Sequence, residues 1–139
     1  MQARIAGSAG LRGRVHLRGR LERRALASLY AAADLFVLGS HHEVACFSLI
    51  EALSFGVTPV VTDIPPFRVI TGDGRVGALW PIDAVERCSD AILKVAAQDR
   101  EGLRRSVLEH FDRSLSWTAV ARQAIDAYST IAERKRKHE

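Results

Sequence analysis

Residues 35–62 read LFVLGSHHEVACFSLIEALSFGVTPVVT. Leu35 to Leu38 form a short run without a polar residue, the pattern of a strand buried on both faces. A loop, Gly39 to Val44, follows. Residues 45–55 are patterned as a helix, and Gly56 supplies a C-terminal stop. Thr58–Thr62 is a second apolar strand. A strand, a loop, a helix and a strand in so short a span make the unit of a parallel α/β sheet. The same stretch holds two acids, Glu43 and Glu51, eight positions apart in an apolar run. Burying a carboxylate without a partner is costly, so these two acids call for partners.

Working outward, the alternation continues on both sides. Residues 1–14 lack clear periodicity and read as a short helix or a loop. The segment VHLRG (15–19) reads as a strand. Residues 21–34 place Leu21, Ala25, Leu29 and Ala32 at helical spacing, with arginines and acids between. After Thr62, DIPPFRVITGDGRVGALWP reads as a loop with one helical turn at 67–71, then a short strand at 77–80. From there the pattern is helical: about 83–98, 100–111 and 116–136. The expected fold is α/β, a Rossmann-like parallel sheet flanked by helices, with a helical C-terminus. A single partial domain over 1–139 is expected, with an α/β core at 15–80 and a helical part at 82–136. In such sheets ligands bind at the carboxyl ends of strands. The loops GSHHEV and DIPP stand there.

Composition bounds the function. The chain has 139 residues, 47% hydrophobic and 26% charged, with a formal net charge of +4. That size suits one domain with a real core, and the charge suits anionic ligands. The arginines are scattered and aromatics are few, which argues against nucleic acid. The densest basic run, ERKRKHE, closes the chain and reads as a solvated helix end whose cations favour the helix dipole. Cys46 and Cys88 show neither metal-ligand nor disulfide spacing, so no metal and a reducing cytoplasm are expected. No apolar run is long enough for a transmembrane helix and no apolar signal segment opens the chain. Peripheral attachment at the inner membrane surface stays open.

LASLYAAADLFVLGSHHEVACFSLIEALSFGVTPVVTDIPPFRVITGDGRVGALWP resembles the donor-binding half of the retaining, nucleotide-sugar-dependent glycosyltransferases of group 1 type, which have the GT-B fold. The family's two glutamates with seven residues between them match Glu43 and Glu51. The frame Leu29-Tyr30, Ala33-Asp34, Ser40, Ala52, Gly56, Pro59-Val60-Val61, Asp63 and Gly77 matches too. SWTAVARQAIDAY, with Trp117 and Tyr128, is similar to the family's closing helix. The resemblance implies that Glu51 binds ribose hydroxyls. Glu43 would contact the transferred sugar, which makes it the catalytic candidate. Backbone amides of about Ala45 to Phe47 would face the diphosphate, as helix N-termini do. The implied substrate-binding set is Glu43, Val44, Ala45, Cys46, Phe47 and Glu51. The implied donor is a UDP-, GDP- or ADP-sugar, with no cofactor and no required metal, and the acceptor is a sugar or a lipid-linked sugar. A glycosidase-type acid pair fits less well, because eight helical residues rise about 12 Å, beyond the roughly 5–9.5 Å such pairs span.

Three departures bear on these expectations. Val44 and Cys46 stand where the family has glycines, which allow positive φ and close backbone approach. The acceptor-binding half is absent, and so is the start of the donor domain with its arginine and lysine. Without those cations the leaving diphosphate lacks a large stabilising contribution, so the isolated chain is expected to be inactive. By the family order 3-2-1-4-5-6, VHLRG, LFVL, PVVT and GALW correspond to strands three to six. VHLRG would then pair directly with LFVL, or a homodimer or partner chain would complete the sheet. The alternative function is a non-catalytic nucleotide-sugar-binding or subunit-docking module. Cys46 reads as a core thiol, Arg68 as a solvated arginine, and His41 and His42 as loop residues.

Overall fold

A computed structural model describes residue 5, residues 7–11 and residues 13–136 of the chain. Part of the stretch read as a short helix or loop, residues 1–4, 6 and 12, lies outside the described residues, as does the end of the basic run, 137–139. The elements follow in the order α1 (Arg23–Ala32), β1 (Leu35–Leu38), α2 (Phe47–Ser54), β2 (Thr58–Thr62), α3 (Pro65–Thr71), β3 (Ala78–Trp80), α4 (Val85–Ala96), α5 (Arg100–Ser114) and α6 (Trp117–Arg136).

The sheet is three-stranded and parallel, in the order β1-β2-β3. Leu35 stands opposite Thr58, and Val60 opposite Ala78. β2 is the central strand and every residue of it is buried. The main core forms where α2, α3 and α5 meet β2: Leu49, Leu53, Val61, Phe67 and Val107 are among its buried members. A smaller cluster joins α1 to α2 through Tyr30, Ala52 and Val57. The sequence-derived Rossmann-like α/β class and the helical C-terminus are both found.

Two glycines are required by geometry. Gly56 has φ 73° and follows the last turn of α2. Its N–H donates to Leu53 O, and the Val57 N–H donates to Ala52 O, a Schellman stop. Gly77 has φ 83°, and a Cβ there would lie 2.0 Å from the Pro59 carbonyl oxygen. Only glycine lets β3 approach β2 so closely.

Three local expectations are corrected. VHLRG is not a strand: residues 15–19 are irregular and exposed, and they do not pair with β1. β-propensity needs a neighbouring strand to take effect, and this segment has none among the described residues. β1 is not buried on both faces. It is the edge of the sheet, and Val37 is 47% exposed. The helical turn at 67–71 begins earlier, at Pro65. Proline suits the first helical positions, where an N–H would have no intrahelical partner, so the prolines open α3 rather than shape a turn.

Candidate functional site

The carboxyl ends of β1, β2 and β3 gather three loops. The first runs from Gly39 to Cys46 and carries Glu43. Ser40 Oγ donates to Glu43 Oε1 at 2.7 Å. Thr62 Oγ1, at the end of β2, donates in turn to Ser40 O. The acid is thereby tied to the central strand. It is half-buried, with one carboxylate oxygen engaged by a neutral donor.

The loop runs into α2, which Cys46 precedes without a side-chain cap. The first amide paired within this turn is that of Ile50, which donates to Cys46 O. The N–H groups of Phe47, Ser48 and Leu49 therefore form the donor set at the helix start. Sequence reasoning placed this set at Ala45 to Phe47. The helix begins two residues later than the pattern suggested, so the set moves toward Leu49. Neither Val44 nor Cys46 has positive φ, so the loop is built without the conformation a glycine would permit. Val44 is fully exposed, Ala45 is exposed, and Phe47 projects its ring outward at 71% exposure. Cys46 is buried in the core, its Sγ 3.3 Å from Ser48 Oγ, in line with the reading of a packed thiol.

Glu51 lies on α2, half-buried, with Arg23 Nη2 of α1 at 3.8 Å from its Oε1. Tyr30 lies beneath, donating from its hydroxyl to Ser48 O at 3.3 Å. Burial pushes the Tyr30 phenol up, and the negative charge of Glu51 pushes it further. The phenol thus remains a neutral donor across the physiological range.

The second and third loops add pairings that sequence reasoning did not draw. Asp63, just after β2, takes a two-pronged bond from Arg68, with Nη2 at 2.7 Å from Oδ2. Those bonds hold the Asp63 carboxyl below the usual range. Arg68 is consequently paired rather than simply solvated. Asp83, in the third loop at φ 63°, stands 3.4 Å from His41 Nε2. This contact ties the first loop to the third, while His42 is exposed. The i to i+5 spacing of Asp63 and Arg68 across a helix start was the one sequence signal available for the first pair. Nothing in the sequence signals the second.

A cavity of about 480 Å³ lies at the opposite, amino end of the strands, lined in part by Asp34, Thr58, Arg100 and Arg104. Asp34 and Arg100 are ion-paired there. The start of α5 also lines it, but those amides are already capped, with Asp99 accepting from the N–H groups of Glu101 and Gly102; the chemistry read from the sequence gathers at the other end. Among the described residues no cluster of three or more His, Cys, Asp or Glu side chains forms a metal site, and no helix is long and apolar enough to cross a membrane.

Residues 3–109 match the family described as "Glycosyl transferases group 1". The chain belongs to that family. Among its relatives, the GDP-mannose:cellobiosyl-diphosphopolyprenol alpha-mannosyltransferase of Xanthomonas campestris is 28% identical over 122 residues, which cover 86% of this chain and 32% of that protein. The GDP-mannose-dependent alpha-mannosyltransferase of Mycolicibacterium smegmatis is 31% identical over 115 residues, covering 80% and 29%. Sucrose-phosphate synthase from Thermosynechococcus elongatus is similar in structure, with a TM-score of 0.72 and 23% identity. The match covers 90% of this chain and 32% of that one, and shows the GT-B fold. The chain spans about a third of the length of the relatives it matches.

Proposed function

We propose that the chain is the donor-binding part of a retaining glycosyltransferase, taking a sugar from a nucleotide diphosphate sugar. The observation that carries this reading is the uncapped start of α2, with Glu43 on the loop before it and Glu51 within it. The amides of Phe47 to Leu49 supply donors and the positive end of the helix dipole to a diphosphate. Glu51 accepts hydrogen bonds from the ribose diol, a pairing a carboxylate satisfies with both oxygens. Glu43, held by Ser40, accepts from hydroxyls of the transferred sugar and serves as the catalytic candidate. Val44, Ala45 and Cys46 shape the backbone between the acids. The nucleotide sugar is the substrate, and the reaction as proposed invokes neither cofactor nor metal. GDP-mannose is the first donor to test, since two relatives carry it in their names, with UDP- and ADP-sugars next. The acceptor is a sugar or a lipid-linked sugar, and peripheral placement at the inner membrane surface suits the second.

Arg23 and Arg68, which approach the site, already stand opposite acids, Glu51 and Asp63. Leaving-group charge therefore depends on the α2 amides and on residues outside this chain. The isolated chain is inactive on this reading, and a partner polypeptide or second copy completes the sheet beside β1. A second reading is a nucleotide-sugar-binding or docking module without turnover. It is favoured by the outer edge of β1, which is unpaired among the described residues and is a template for pairing with another polypeptide.

Calorimetric titration tests both. UDP, GDP and ADP, free and as sugar nucleotides, are titrated into the wild type and Glu51→Ala. The donor reading predicts binding by one nucleotide class, weakened about tenfold or more when the carboxylate is lost, as for a hydrogen bond to a charged group. Binding by none of them would sink the donor site and leave the docking module.

A further inference from the structure

We propose that Trp80 is a positioning residue for Glu43, acting through Gly39; the role rests on the donor-site reading. Trp80 ends β3, and Gly39 follows the last residue of β1, on the other side of the central strand. The register brings them into line. Leu38 stands opposite Val61, and Thr62 opposite Trp80. One step beyond Leu38, the residues Gly39, Thr62 and Trp80 therefore form a row across the carboxyl end of the sheet. Neighbouring strands lie about 4.8 Å apart, so the outer members of the row are roughly 10 Å apart. The indole closes that gap. A Cβ built on Gly39 would lie 3.3 Å from both Cζ2 and Cη2 of Trp80, inside the optimum of about 3.5–4.0 Å for carbon pairs. Gly39 does not have positive φ, so its backbone does not call for glycine. The ring does, as a glycine at a strand end marks the close approach of another group.

Stability alone does not account for the tryptophan. Its Nε1 is buried and has no hydrogen-bond partner among the described residues. An unpaired buried donor is unfavourable, and a leucine would leave none. What the indole adds is reach across β2. The rest of Trp80 is fixed as well, because its carbonyl oxygen accepts from the Asp63 N–H at 2.7 Å. The first loop is thus held at its start from two directions, by the Thr62 hydroxyl at Ser40 O and by the ring at Gly39.

Part of the site depends on this contact and part does not. Gly39 opens the loop that carries Glu43, whose carboxylate accepts from Ser40. The start of α2 is held elsewhere, by Tyr30 at Ser48 O and by Leu49 in the core. A shift at Gly39 therefore moves the acid that faces the transferred sugar. It leaves in place Glu51 and the α2 amides, which face the nucleotide.

The test is a double-mutant cycle on the full chain, Gly39→Ala in the wild type and in Trp80→Leu. Two readouts are taken, and circular dichroism checks the fold of each variant. Trp80→Phe, which also lacks the outer indole ring, replaces Trp80→Leu should the latter unfold. Without ligand, Gly39→Ala should move the backbone amide resonances of residues 43–46, and should move them far less in the Trp80→Leu background, because contacting residues are not additive. In calorimetry with GDP and GDP-mannose, or with the UDP or ADP pair if that is the one bound, Gly39→Ala should weaken the sugar nucleotide at least about threefold, since small misplacements of a contact are costly. The free nucleotide should bind as to the wild type, and Trp80→Leu should abolish the difference that Gly39→Ala makes. Equal losses for both ligands, or the same loss in both backgrounds, overturn the proposal while leaving the donor site standing. Still resonances at 43–46 overturn it as well. A wild type that binds no nucleotide sinks the donor reading and this role with it.

Discussion

The central strand and the β1 edge of the sheet are built from similar residues and end up in different surroundings. Val60 and Val61 of β2 are completely buried, with β1 and β3 on either side. Val37 of β1 is 47% exposed, and the outer edge of its strand is unpaired among the described residues. Burial is thus a property of position in the sheet order, and an identical side chain contributes to the core in one place and little in the other. The loop that carries Glu43 leaves the open edge strand but is tied to the packed one, through Thr62.

Substitutions can break this contrast, the largest effects lying on the packed side. Phe67→Ala empties a fully buried ring position beneath β2 and should cost about 4 kcal/mol, read as a lower denaturant midpoint with unchanged slope. Gly77→Ala drives a methyl into the Pro59 carbonyl at a positive φ. It should cost about 2–3 kcal/mol and release β3 first, seen as faster amide exchange in residues 78–80. On the open side, Val37→Ser should change stability by less than about 0.5 kcal/mol. A large loss there would mean that β1 is covered in solution.

The smallest effect is electrostatic. The folded state holds the Asp63 proton more weakly than the unfolded chain does, because Arg68 bonds the carboxylate. The stability this contributes is present above the unfolded carboxyl value of about 3.9 and is lost as pH falls through the lower folded value. Asp63→Asn should therefore melt slightly below the wild type at neutral pH, and the two curves should converge once the pH has fallen below the lowered folded value. A gap that persists in acid would assign the effect to packing.

Much of the sheet was legible because apolar runs mark it. LFVL and TPVVT were placed to the residue, since a short apolar or β-branched run between turn residues has few other uses. VHLRG was misread because a strand needs a partner and the residue types alone do not supply one. α3 was misread because Pro65 and Pro66 suit a turn and a helix start equally, and the packing of Phe67 and Ile70 decides between them. At the site, the spacing of Glu43 and Glu51 was visible, and so was the helix between. The bond from Ser40 was hinted at three residues away. The contact of His41 with Asp83 was not, because it joins two loops more than forty positions apart and depends on the left-handed turn at Asp83.

The chain of bonds from Thr62 to Ser40 to Glu43 has a kinetic consequence. A carboxylate on a free loop samples orientations within nanoseconds, and a ligand must arrest that motion on arrival. Here the carboxylate is anchored through two hydroxyls to a strand with no exposed residue. Its orientation changes only when those bonds open, so most of its ordering entropy is already lost when the chain folds.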